Sequence, residues 1–221
     1  VVITPHLGAS TAEAQVDVAR EIAEQVLAVL RGEPARFTVN APFVAPEVHE
    51  VLGPYIPVAS VLGKLVTQLS DGQFSALVIK YSGDISEFDT TVLKAAVVMG
   101  VLTPITDERV NLVNAMFEAE QRGLKVTEEN IHRSEQYSNL ITVELHTTAG
   151  VITVAGTIMR GEAHLVRVDD QWLDVVPSVP YLLFAHHVDR PGMIGAVGTI
   201  TGKRDINISF IQVGRRQPRG E

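Results

Sequence analysis

From Asn139 onward the apolar residues recur at every second position, and this change of period constrains the 221-residue chain more than any other feature. Leu140 to Thr147, Val151 to Met159, His164 to Val168 and Trp172 to Val175 read as strands. Turn signals at Ala149-Gly150, Arg160-Gly161 and Asp169-Asp170 separate them. Connections that short join antiparallel neighbours, so the four segments form a meander.

Upstream the period is helical. Val58 to Leu69 predicts a helix closed by Asp71-Gly72, and Thr90 to Leu102 predicts a second, largely buried one. Between them Phe74 to Tyr81 reads as a strand, with Ala76, Val78 and Lys80 alternating against Leu77 and Ile79. Asp107 is expected to cap a further helix whose apolar surface comes from Val110, Val113, Ala115, Met116, Phe117 and Ala119. Helices first and an antiparallel sheet after them indicate an α+β unit of about 130 residues.

Two further units flank it. Ser10-Thr11-Ala12-Glu13 fits a capping box, and Ala19, Ile22, Ala23, Val26, Leu27 and Leu30 follow at helical spacing before Gly32 and Pro34. A helix of about 20 residues spans roughly 30 Å, long for a small domain. Prolines 42, 46, 54 and 57 then mark residues 41–57 as a boundary. The last stretch reads as βαβ, with strands Tyr181 to His187 and Ile206 to Val213 around a helix Gly192 to Gly202. The expected units are therefore 1–45, 46–178 and 179–221. The chain opens on Val1-Val2-Ile3-Thr4 and closes on a turn-like Arg215-Arg216-Gln217-Pro218-Arg219, so it is expected to be a piece of something longer.

Charge and composition exclude several classes. With 18 Lys+Arg against 26 Asp+Glu the net charge is −8, which disfavours nucleic-acid binding. The arginines at 215, 216 and 219 read as a solvated turn. No apolar run approaches the ~18 residues that span a bilayer, and no secretory signal opens the chain, so a cytoplasmic protein is expected. Without cysteine there is no disulfide framework, thiol nucleophile or thiolate-bound zinc. The seven histidines lack metal-ligand spacing, so no metal site is expected.

Two places could carry chemistry. His6 stands between a strand end and a helix start, where a loop on a rigid scaffold can aim an imidazole that takes and returns an alcohol proton near neutral pH. In the tail, Asp189-Arg190-Pro191-Gly192 reads as an N-cap, a linker and a helix start that favour a carboxylate. Asn207 can hydrogen-bond both carboxylate and amine of a small amino acid, and the Asp189 carboxylate suits its ammonium.

The segment Val2-Ile3-Thr4-Pro5-His6-Leu7-Gly8-Ala9-Ser10-Thr11, continuing through Glu13-Ala14-Gln15, resembles the catalytic-histidine segment of the D-isomer-specific 2-hydroxyacid dehydrogenases, and within them the long-form D-3-phosphoglycerate dehydrogenases. Val39-Asn40-Ala41-Pro42 is similar to the last strand of that catalytic portion. Residues 46–178, with Val110-Asn111-Leu112-Val113-Asn114-Ala115 as the most typical stretch, are similar to the allosteric substrate-binding (ASB) intervening domain. Val188-Asp189-Arg190-Pro191-Gly192 with Asp205-Ile206-Asn207-Ile208 resembles the first half of a ferredoxin-like ACT domain.

The resemblance implies an NAD-dependent parent enzyme that oxidises 3-phosphoglycerate to 3-phosphohydroxypyruvate, opening L-serine biosynthesis. His6 would be its acid/base and Gly8 would lie near the nicotinamide. His187, Asp189 and Asn207 would bind L-serine as feedback effector between two subunits of a homo-oligomer held through ACT and ASB domains. No G-x-G-x-x-G opens a helix in this sequence, so the 221 residues alone are expected to lack dehydrogenase activity. The resemblance also implies an anion or substrate effector site near the ACT boundary. Here Arg160, His164 and Arg167 are the available groups, with Lys80 earlier; the run from His164 to Gln171 carries little basic charge and is expected to hold exposed hairpin residues. Two alternatives remain open at this stage: a stand-alone amino-acid-binding regulatory module, or the small subunit of an L-serine dehydratase.

Overall fold

Six strands form one mixed sheet in the order β2-β1-β3-β4-β5-β6. They are β1 (Phe74–Gly83), β2 (Lys125–Ile131), β3 (Asn139–Thr147), β4 (Gly150–Met159), β5 (Glu162–Val168) and β6 (Gln171–Val175). The computed structural model describes residues 8–31, 37, 39, 46–132, 136–177, 181–185 and 190–213. The helices are α1 (Ala12–Leu30), α2 (Pro46–Leu52), α3 (Tyr55–Leu69), α4 (Thr91–Leu102), α5 (Ala115–Gln121) and α6 (Met193–Gly202).

The meander forms as its period demands, each of β3 to β6 antiparallel to the next. Arg160 (φ 54°) and Gly161 (φ 81°) supply the left-handed pair that a two-residue hairpin requires. β1 pairs antiparallel with β3, placing Ile79 opposite Val143 and Leu77 opposite Leu145. Leu77, Ile79, Tyr81, Ile141, Val143, Leu145 and Val154 are all buried on the face that the helices cover. On the other face Leu140, Ala155 and Val166 form a small cluster under Tyr137 and Met159.

α3 lies over β3, β4 and β5, and α4 packs along α3. Two glycines permit that approach. A Cβ on Gly63 would stand 2.1 Å from the Val97 carbonyl oxygen, and one on Gly100 would stand 2.2 Å from that of Ser60. The Thr67 hydroxyl crosses the same interface to the Val101 carbonyl at 2.9 Å. Because α4 is packed against α3 and α5 and contributes to the main core, nine of its residues are buried, as its nearly continuous apolar sequence requires.

Several elements differ from the sequence expectations. β2 has no alternating signature, yet it pairs parallel to β1 as the sheet's edge, reached by the crossover through α4 and α5. Residues 46–52 and 55–57 are helical rather than linker. Pro54 and Pro57 fall at the N-cap and first turn of α3, where a missing amide costs no intrahelical bond. α5 starts at Ala115, not near Asp107. The Asn111 carboxamide accepts from the Val113 and Asn114 amides, and Asn114 Oδ1 accepts from the Asn111 amide at 2.7 Å, so side chains take the bonds a helix would need. The first helix is capped by Thr11, whose hydroxyl accepts from the Ala14 amide at 3.2 Å, rather than by Ser10. Of the expected tail βαβ, α6 forms. Residues 181–185 and 206–213 carry no strand ladder among the described residues, since a strand exists only with a partner.

Candidate functional site

Of the residues predicted to act, Gly8 and Asn207 fall among those described. His6, His187 and Asp189 lie outside the described residues. Gly8 is exposed in the turn before α1, where Ala9 takes φ 59°. That turn and the Thr11 cap lead directly into α1. No residue of α1 is buried.

In the tail, the N-cap of α6 is Gly192 at φ 92°, which displaces Asp189 from the capping role expected of it. A left-handed cap there is open to glycine without a Cβ penalty. α6 ends at Gly202; beyond it Asp205 takes φ 57°, and the Ile206 and Asp205 amides donate back to the Thr201 and Gly202 carbonyls at 3.0 and 3.1 Å. That reversal directs the chain into 206–213 and leaves Asn207 exposed.

The four groups considered for an anion each have their own place. Lys80 on β1 donates to Glu144 at 2.7 Å and lies 3.7 Å from Glu129; the Glu144 hydrogen bond is the main cause that raises its pKa. On β5, Arg167 donates from Nε to the Asp169 carbonyl at 2.5 Å, and its guanidinium sits 5.5 Å from the Trp172 ring centroid. Nδ1 of His164 lies 2.6 Å from Asp174 Oδ1. Arg160 is exposed on its hairpin. β1 and β5 are three strand spacings apart, about 14 Å, so Lys80 and Arg167 do not converge on one small anion.

One polar cluster escaped the sequence reading. Glu128, on edge strand β2, accepts from the Thr90 hydroxyl at 3.0 Å and from Lys94 at 2.6 Å. Beside them the Tyr81 hydroxyl is buried without a hydrogen-bond partner; burial first, then the Glu128 charge, pushes its pKa up. The four residues come from β1, β2 and the start of α4, so no local spacing announces them. The arrangement ties β2 to α4 and holds no group poised as nucleophile.

The parallel β1–α4–β2 unit is the place where a dinucleotide pyrophosphate could be tested for fit. Its βα junction is a 3-10 turn, Asp84–Glu87, with both terminal residues acidic and Asp89 following. Carboxylates there repel a pyrophosphate, and the glycine-rich turn is lacking, so this unit does not fit NAD. Among the described residues no group of three or more His, Asp or Glu could hold a metal ion, and no helix is long and apolar enough to cross a membrane.

Comparisons with known proteins agree across the chain. The family described as D-3-phosphoglycerate dehydrogenase intervening domain matches residues 51–169, which run from the end of α2 to the turn after β5. A D-3-phosphoglycerate dehydrogenase of Synechocystis is 41% identical over 100% of this chain and 40% of its own length. D-3-phosphoglycerate dehydrogenase 2 of Arabidopsis thaliana, a chloroplastic protein, is 42% identical over 97% of this chain and 37% of its own. The Methanocaldococcus jannaschii enzyme of the same name is 37% identical over 100% of this chain and 42% of its own. The chain thus spans about two fifths of the length of the relatives it matches, 40% in the Synechocystis case. With more than half of its 221 residues inside the matched domain and the sheet and covering helices that domain needs, this chain belongs to the D-3-phosphoglycerate dehydrogenase family.

Proposed function

We propose that the chain is the regulatory portion of an NAD-dependent D-3-phosphoglycerate dehydrogenase, divided into 1–45, 46–178 and 179–221. The observation that carries this reading is the likeness of the whole chain, His6 segment included, to enzymes of that name. In the full-length enzyme His6 takes the hydroxyl proton of 3-phosphoglycerate as the alcohol becomes a ketone. The remaining dinucleotide and substrate contacts come from outside these 221 residues. NAD supplies the hydride acceptor when bound.

The tail binds L-serine between two subunits of a homo-oligomer, with Asp189 facing the ammonium and His187 and Asn207 the polar groups beside it. Two features support this. Gly192 leaves the first amides of α6 without a side-chain cap, and Asn207 is solvent-exposed on the segment that follows.

Turnover and calorimetry on the full-length enzyme test both halves. His6→Asn is expected to lower turnover by about 10²–10⁴-fold, and turnover within tenfold of wild type would overturn the assignment. Asp189→Ala and Asn207→Ala are expected to abolish the heat of L-serine binding and its inhibition while uninhibited turnover persists. No heat from the wild-type enzyme would overturn the serine site. The 221-residue chain by itself is expected to reduce no NAD with 3-phosphoglycerate.

A further inference from the structure

The sheet ends at β6, a five-residue strand with no further strand beside it among the described residues. An edge of this kind presents amides that point away from the sheet and need an acceptor. One of them has found it. The Asp174 amide donates to the Gln212 side-chain oxygen at 3.0 Å, across 38 residues of sequence. Gln212 lies in 206–213, beyond α6, and the segment makes no ladder with β6. The contact is therefore made by a side chain alone, which leaves the backbone of 206–213 available for a sheet of its own.

A second, independent contact comes from the other end of the same unit. Phe184, in 181–185, is half-buried and packs against the main core, while Leu183 beside it is exposed. The two contacts bracket α6, whose residues are none of them buried. The unit from 181 to 213 is thus held by what comes before and after its helix, not by the helix.

Asp174 has a second bond. Its carboxylate takes His164 Nδ1 at 2.6 Å, and the His164 side chain is only 12% exposed, set on β5 beside Val58 and Leu62 of α3. The residue that receives the tail is therefore itself fixed to the sheet's neighbouring strand. β6 is held in position from both sides, by β5 and His164 on one and by Gln212 on the other.

We propose that the β6 edge is the docking surface for this chain's own C-terminal unit, with Gln212 as the positioning residue on the Asp174 amide, while Phe184 anchors the unit to the main core. The unit reaches the intervening domain through that edge and keeps its own strand ladders free. The proposal does not depend on the identity of any ligand the tail binds.

Amide hydrogen exchange on the full chain, resolved at Asp174, is the test. In the wild-type chain the Asp174 amide is expected to be protected although it faces outward from an edge strand. Gln212→Met keeps the side chain's length and removes its acceptor. It should speed exchange at Asp174 about five- to tenfold, in proportion to one lost hydrogen bond, and leave the Val143 and Val154 amides on the central strands unchanged. Phe184→Ala should speed Asp174 exchange in the same direction. Asp174 exchanging in the wild type at the rate of an unprotected amide would overturn the proposal, as would unchanged protection in Gln212→Met.

Discussion

Asp89 shows how much one exposed carboxylate can do for a helix with no capping bond from its own N-cap. Thr90 occupies the cap position of α4 without a side-chain bond to it. Asp89 Oδ1 instead accepts from the Thr91 amide at 3.0 Å and from the Thr91 hydroxyl at 2.6 Å. Those bonds, the hydroxyl one first, lower its pKa. A carboxyl whose folded value is depressed contributes stability that is present above its unfolded value near 3.9 and is lost as the pH falls through the folded one. Asp89→Ala should therefore cost about 0.5–1 kcal/mol at pH 7, near the lower end for caps because the site is exposed. The difference from wild type should close as the pH falls below the ordinary carboxylate range. Urea unfolding at pH 7 and pH 3 checks this, and an undiminished difference at pH 3 counts against it. Lys80 behaves in the opposite sense: its raised pKa stabilises the fold below the unfolded lysine value, and that contribution is lost as the pH climbs through the folded one.

At the scale of elements, the α3–α4 crossing is the most demanding contact. Gly100→Ala would set a methyl 2.2 Å from the Ser60 carbonyl and 3.0 Å from the Lys64 amide, both backbone atoms that cannot turn aside. The helices would have to part, at a cost of about 3 kcal/mol. Gly195→Ala in α6 meets nothing within 4 Å and should be neutral or slightly stabilising, since alanine is the better helix former. Denaturant midpoints of the two variants check both, and equal effects would sink the argument. The crossing is also where sequence and structure part company. α4 was legible because its residues are apolar on every side, but nothing local marks Gly63 and Gly100 as facing glycines. The meander strands were legible because period and turns agree. β2 was not, because Lys125–Ile131 holds only two apolar residues, and its place is set by β1 and by Glu128 reaching Thr90 and Lys94. The candidate site was legible only as motifs: His6 and Asp189 are recognised from their neighbours in sequence. The pairing of Asp174 with Gln212 depends on a fold that brings residues 38 apart together.

For the molecule as a whole, stability is unevenly spread. The buried residues are concentrated in α3, α4, β1 and the first three strands of the meander, whereas six of the seven residues of β2 are exposed and α1 and α6 bury none. Hydrogen exchange should accordingly rank residues 125–131 at least tenfold faster than 139–147, because edge segments with few apolar contacts open below the global limit. Equal protection of the two strands would show one cooperative unit instead. The parallel pairing of β1 with β2 has a kinetic consequence. That register closes only after the intervening crossover has been laid down, and distant pairings are slow to form. β2 should therefore be the last strand to zip during refolding and the first to peel away, and each excursion strips Lys80 of Glu129 while Glu144 keeps its grip.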